Sequence, residues 1–343
     1  DLVRSRGLGD VYKRQFLSLT YDYSDQINIK LLLQTSYTDT VDQLLQIYKM
    51  DTLEKNSDHI LLKLSLDNIL EKLLVIEFEQ LETYFYYPIN LSRGGLNFPE
   101  FYPLRTHEIP LISSFSTSST IKFRRAHAKD TLYFFQYEAN FQPADPPMGI
   151  AQSVASELLM DSIFMSTQEV SLVPNHFYFI QSDTLSSEGL TLFMGPKYYP
   201  KMKVIDELIL PMTYFTSRSE LDEVKNAKDS KVAFENFWLN AYASSEAAAA
   251  AIRIYYRSIK QANELFTTYK EGWKTDRGMI YVIFGNPDRV FRENNKEIWL
   301  YKDIKFEFKI VSNLFAPNMY VLLRNKGYEK LWIKKITDIR SAL

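Results

Sequence analysis

Near residue 217 the spacing of apolar residues changes from two to between three and four, which divides the fold more firmly than any other feature of these 343 residues. Upstream, DHILLKLSLD puts Ile60, Leu62, Leu64 and Leu66 on one strand face. LLVIEFEQLETYFYY does the same with Leu74, Ile76 and Phe78, leaving Glu77 and Glu79 opposite, and FLSLTYDY and INIKLLLQTSY read alike. Downstream, Ser217 and Glu220 make a capping-box pattern, and SKVAFENFWLNAY places Phe234, Phe237 and Trp238 on one helical side. Ile252, Tyr255, Ile259, Ala262, Phe266 and Tyr269 then form an apolar stripe from about Glu246 to Lys270, opposite Arg253, Arg257, Lys260 and Glu264. Strands first and helices later, with strands again at the end, predict a mixed fold of tandem β-sandwich-like domains followed by an α+β domain of helices and an antiparallel sheet.

Boundaries follow from breaks in these patterns. Residues 1–15 are set aside as an artefactual tail, because Ser5 to Gln15 correspond to the translation of a transposase-type sequencing adaptor. The natural N-terminus is then missing, and with it any signal or lipid-attachment site. A first β-sandwich-like domain spans 16–92 and ends at SRGGLNFPEFYP, where glycines and prolines interrupt the alternation. A second β-rich domain spans 93–205, and its stretch GIAQSVASELLMDSIFMS fits a helix and a strand equally well. The third domain, 206–343, closes with MIYVIFG, read as a central strand, KFEFKIV, a half-exposed strand, and the strands NMYVLLRN and EKLWIKKI.

Composition removes several function classes. Without the tail's four basic and two acidic residues, 36 basic face 40 acidic side chains, and such a balance offers no basic surface to nucleic acid. No apolar run is long enough to span a bilayer, so attachment to a membrane would come only through a missing N-terminal anchor. The absence of cysteine excludes disulfides, thiolate catalysis and cysteine-ligated zinc. All four histidines (His59, His107, His127, His176) precede the third domain, which therefore holds no Ser-His-Asp triad or histidine metal ligand of its own.

Five ordered blocks carry a resemblance: FENFW (234–238), YYRSIKQANELF (255–266), GWKTDRG (272–278), YVIFGNPD (281–288) and EIWLY (297–301). Their order and spacing resemble the GWxTD-domain family of bacterial, largely Bacteroidota, envelope proteins, over roughly the last 140 residues. The resemblance implies an exported protein or lipoprotein of the cell envelope, in the periplasm or on the outer membrane, with β-sandwich domains ahead of the motif. It brings no established reaction and no cofactor.

The candidate motif residues are Gly272, Trp273, Lys274, Thr275, Asp276, Arg277, Gly278, Gly285, Pro287 and Asp288. In the architectural reading Gly272 and Gly278 allow close backbone approach, Trp273 is a core plug with a satisfied indole N–H, and Thr275 and Asp276 bond nearby backbone amides. Arg277 pairs with a carboxylate, and Gly285-Asn286-Pro287-Asp288 is the turn that stops the strand. In the catalytic reading Asp276 and Asp288 act as an acid/base pair of a hydrolase or transferase on glycan or peptide, with Arg277 orienting an anionic group. Twelve positions apart on either side of a strand, the two carboxylates are expected at opposite ends of it. Trp238, Trp273, Trp299 and Trp332 fall in successive segments and are expected in one core. The expectation is therefore no catalytic set, no metal and no cofactor, with a protein or an envelope polymer as partner. Carbohydrate binding by the β-sandwiches is a further alternative.

Overall fold

The computed structural model describes residues 101–125, 131–149 and 158–341 apart from 186, 188, 243, 294 and 317, together with 2–8, 13–20, 28–34, 43–44, 49–56, 59–66, 73–80 and 83–90. In the first hundred residues eight strands form two four-stranded sheets. They are β1 (Leu2–Leu8), β2 (Lys13–Thr20), β3 (Asn28–Gln34), β4 (Gln43–Leu44), β5 (Lys49–Lys55), β6 (His59–Leu66), β7 (Leu73–Gln80) and β8 (Thr83–Asn90). The orders are β1-β2-β6-β5 and β4-β3-β7-β8, all antiparallel, and residues 1–15, set aside in the sequence as a tail, supply β1 and the first three residues of β2. LLVIEFEQLETYFYY is thus two strands rather than one. Leu73, Leu74, Val75 and Ile76 are all buried, as are Leu61 and Leu62, so these strands are covered on both faces where alternation predicts one.

Nine shorter strands follow: β9 (Phe101–Arg105), β10 (Ile109–Pro110), β11 (Phe115–Ser116), β12 (Thr120–Arg125), β13 (Leu132–Glu138), β14 (Met160–Ser166), β15 (Val170–Ser171), β16 (His176–Gln181) and β17 (Leu190–Met194). They make a four-stranded sheet, β10-β9-β12-β15, and a five-stranded one, β11-β17-β16-β13-β14. One core takes Phe101, Ile121 and Val170 from the first and Leu132, Phe134, Tyr178, Ile180, Leu192 and Met194 from the second, which is the packing of a β-sandwich. Within the ambiguous stretch 149–166, the part from Met160 is strand; 150–157 lie outside the described residues.

Helices then take over: α1 (Ile205–Ile209), α2 (Arg218–Lys225), α3 (Ser230–Ala241), α4 (Ser245–Phe266) and α5 (Asp276–Phe284). The sheet β18 (Arg289–Glu293), β19 (Lys296–Tyr301), β20 (Ile304–Val311), β21 (Met319–Leu322) is an antiparallel meander in chain order, and α6 (Glu329–Ser341) closes the chain. Ser217 and Glu220 do form a full capping box on α2, and Asp229 and Ser244 cap α3 and α4. On α4 the stripe Tyr255, Ile259, Ala262, Phe266 is buried as expected, although the helix ends at Phe266, where Thr267 turns extended. Phe306 and Phe308 of β20 are fully buried between outward Lys305, Glu307 and Lys309.

Two segments expected as strands are helices. MIYVIFG lies in α5: Met279 to Ile283 are buried on every side, so both strand parities and all helical faces are equally apolar and the period carries no information. The local decision comes from Thr275, whose side chain caps the helix by accepting from Gly278 N–H at 3.0 Å. EKLWIKKI begins α6. Its alternation is a short-window accident, since Tyr328, Trp332, Ile336 and Ile339 meet the core at spacings of four, four and three.

All four tryptophans join one cluster with α1 to α6 and the sheet, as expected, though they come from two helices, one turn and one strand. The sandwich also packs against this domain: Tyr137, Phe141 and Phe177 meet Tyr269 and Phe315 edge-on or tilted, and Asn325 N–H donates to Pro147 O at 3.0 Å.

Candidate functional site

Between α4 and α5 the motif is a 3-10 turn, Gly272–Lys274, followed by a helix start. Its glycines let three backbones touch. A Cβ on Gly278 would stand 1.9 Å from Gly272 O, and one on Gly272 would stand 2.0 Å from Ala262 O, separations no carbon can occupy. The Thr275 hydroxyl closes the turn by donating to Gly272 O at 2.7 Å while accepting from Gly278 N–H.

Buried polar groups of α4 hold this turn from behind. Asn263, fully buried, accepts from Trp273 N–H at 3.1 Å and donates to Pro200 O at 3.0 Å, so one amide ties motif, helix and the chain leaving the sandwich. Thr267 accepts from Gly272 N–H at 3.1 Å and shares a hydrogen bond with Tyr199. Tyr214 donates to Trp273 O at 2.9 Å. Trp273 is the expected core plug, but its indole N–H has no acceptor among the described residues: the ring sits in an apolar cluster, edge-on to Tyr214.

Each charged residue of the motif faces a different partner. Asp276 receives Arg324 in a bidentate pair (2.7 and 3.1 Å) and also accepts from Leu322 N–H at 2.7 Å, at the edge of β21. Arg324 also reaches Asp145 O at 3.0 Å, on the loop of the sandwich. The Arg277 guanidinium carbon sits over the Tyr320 ring, 3.5 Å from its centroid, and the side chain contacts Glu297 at 3.3 Å. Glu297 is nearly inaccessible and also accepts from Arg292 Nε and Trp299 Nε1, both at 2.8 Å. Burial pushes its pKa up, but the two guanidinium charges and these hydrogen bonds outweigh it and hold the carboxyl below its ordinary range. Lys274 pairs with Glu271 at 2.6 Å. Burial raises the Glu271 pKa against the opposing pull of Lys274, and burial lowers that of Lys270 against the attraction of Asp276.

Gly285 ends α5 with φ 75°, a conformation that suits glycine, and its carbonyl accepts from Tyr301 at 2.9 Å. Gly285-Asn286-Pro287-Asp288 is therefore a turn that stops a helix, not a strand. Pro287 is half-buried and Asp288 exposed, its N–H donating to Leu300 O at 2.8 Å to open the β18–β19 hairpin. Asp276 is the first residue of the nine-residue α5 and Asp288 lies four residues beyond its end; at ~1.5 Å rise per residue the helix puts ~12 Å along its axis between Asp276 and Phe284.

The structure thus gathers Gly272 to Gly278 in one place and leaves Gly285, Pro287 and Asp288 at the far end of α5. Sequence reasoning missed the motif's partners, Asn263, Thr267, Glu271, Glu297 and Arg324. Asn263 left one signal, a polar residue adjoining Ala262 on an otherwise apolar stripe; Arg324, 48 positions from Asp276, left none. Among the described residues no group of acidic or histidine side chains is arranged to hold a metal ion, and no helix is long and apolar enough to cross a membrane.

Residues 176–341 match the family model described as the GWxTD domain, so the C-terminal part of the chain carries that domain. The match begins at β16, upstream of the five motif blocks, and so includes Phe177 and Tyr199, which pack against or bond to the residues around the motif. No curated protein and no solved structure matches the chain.

Proposed function

We propose that this is a non-enzymatic protein of the bacterial cell envelope whose GWxTD motif is an architectural clasp, and that the domain it stabilises engages a protein partner or an envelope polymer. The observation that carries this reading is the internal use of every ionic group in the motif: Asp276 by Arg324 and Leu322, Arg277 by Glu297 and Tyr320, Lys274 by Glu271. A general acid or base needs room for substrate against its proton, and these groups spend their directions on the scaffold. Envelope location, with any membrane attachment through an N-terminal anchor, rests on the sequence resemblance.

The hydrolase or transferase reading needs Asp276 free to act with Asp288, and Asp276 is instead held by Arg324 and the Leu322 N–H. Carbohydrate binding by the sandwiches wants rows of exposed rings; Tyr86 on β8 is one exposed ring. The test pairs two measurements: co-sedimentation of the purified chain with isolated cell-wall sacculi or membranes, and release of soluble glycan or peptide from them. Binding without release supports the proposal. Release that Asp276→Asn abolishes in a variant still folded by circular dichroism refutes it.

A further inference from the structure

The C-terminal sheet ends differently on its two sides. At β21 the motif itself blunts the edge: α5 packs along the strand and Asp276 takes the Leu322 N–H. At the other side no strand flanks β18 among the described residues, and Arg289, Val290, Phe291 and Glu293 are exposed, Val290 at 50% and Phe291 at 46%. An open edge with apolar side chains is a template for another strand.

What that strand is follows from its own sequence, RVFRE. Turned antiparallel on itself about Phe291, it sets Arg289 opposite Glu293 at both ends and Phe291 opposite Phe291 at the centre. These three residues share one strand face, and register puts it opposite the face carrying Arg292, whose partner Glu297 is in the core. The ion pairs would therefore form on the solvent side, beside the Ile298 that already faces Phe291 across the hairpin. Competing arrangements are disfavoured: parallel pairing in register sets Arg289 against Arg289 and Glu293 against Glu293, and a slip toward Glu293 sets Arg292 against Arg292.

We propose that β18 pairs antiparallel with β18 of a second copy of this chain, joining two four-stranded sheets into one of eight strands about a two-fold axis at Phe291. The contact is short, so the dimer is weak and forms with rising concentration or when copies are held at a surface. It is independent of the architectural reading of the motif, because Arg289 and Glu293 make no part of the clasp.

Sedimentation equilibrium on the intact chain, from roughly 5 to 500 µM, tests it. The expected result is a concentration-dependent dimer. Arg289→Glu and Glu293→Arg should each raise the dissociation constant by about tenfold or more, and the double variant, which restores opposite charges in swapped positions, should return it to within about threefold of the parent. Both side chains are exposed, so unchanged melting temperatures are expected and verify the fold. A monomer throughout the range, a dimer indifferent to Arg289→Glu, or a double variant no better than either single change overturns the proposal.

Discussion

Asp276→Ala removes the one carboxylate that neutralises Arg324. The Arg324 side chain is 7% exposed and, among the described residues, keeps Asp145 O as its acceptor, and Leu322 N–H loses its partner at the sheet edge. Breaking a buried pair by deleting one member costs about 3–5 kcal/mol, most of it the penalty of the charge left behind. The orphaned amide is included in that range rather than added, since water entering the vacated site serves both groups. Asp276→Asn keeps an acceptor for Leu322 and loses the charge, so about 2 kcal/mol is expected. Arg324→Met made together with Asp276→Ala removes the stranded cation, and the pair of changes should cost less than the sum of the two by about 1–3 kcal/mol. Urea unfolding followed by tryptophan fluorescence is the assay, because Trp238, Trp273, Trp299 and Trp332 all belong to the cluster that the clasp supports. With a urea dependence of about 2 kcal/mol per M, the midpoint of Asp276→Ala should fall by roughly 1.5–2.5 M. A loss below about 1 kcal/mol, or a gain in stability, would refute the clasp and return Asp276 to the list of groups held ready for a ligand.

Other consequences concern the surrounding scaffold. Gly278→Ala forces a Cβ into Gly272 O and should destabilise by about 3 kcal/mol or more, read in the same unfolding experiment, whereas Gly285→Ala meets no atom within 4 Å and should cost only the backbone strain of φ 75°, about 1–2 kcal/mol; equal losses would contradict the steric argument. Asn263→Ala leaves Trp273 N–H and Pro200 O unpaired and should lose about 2–4 kcal/mol, with faster amide exchange at Trp273 if the loss is local. On the surface, the Arg340 hydrogen bond holds the Glu220 carboxyl down to about 2. Its folded value lies below the unfolded one, so its contribution is complete above about pH 4.3 and is lost as pH falls through about 2. The melting-temperature advantage of the parent over Glu220→Gln should be constant above about pH 5 and shrink toward pH 2; an advantage undiminished at pH 2 would sink the assignment.

The helices α2 to α4 were legible because their signals are local: a Ser-x-x-Glu box on α2 and, on α3 and α4, a period that separates one face from the other; the caps Asp229 and Ser244 emerged only with the structure. Strand β20 was legible for the same reason, with Phe306 and Phe308 set against charged neighbours. Where burial is complete the signal disappears. Met279 to Ile283 have no polar face to mark their period, and only the Thr275 cap and the contact of Gly278 with Gly272 make that segment a helix.

The site divides in the same way. Sequence alone marked out ten motif residues, Gly272 to Gly278 with Gly285, Pro287 and Asp288, set the four tryptophans in one expected core, and removed histidine and cysteine chemistry from the motif; the structure separated the last three from the first seven by the length of α5. Tertiary structure alone decided whom those residues face. Arg324 and Glu297 are distant in the chain, and a carboxylate shows no preference among many arginines until packing removes water from one of them. Local patterns are written in neighbours, whereas the pairing of buried charges is settled only when the whole domain closes around them.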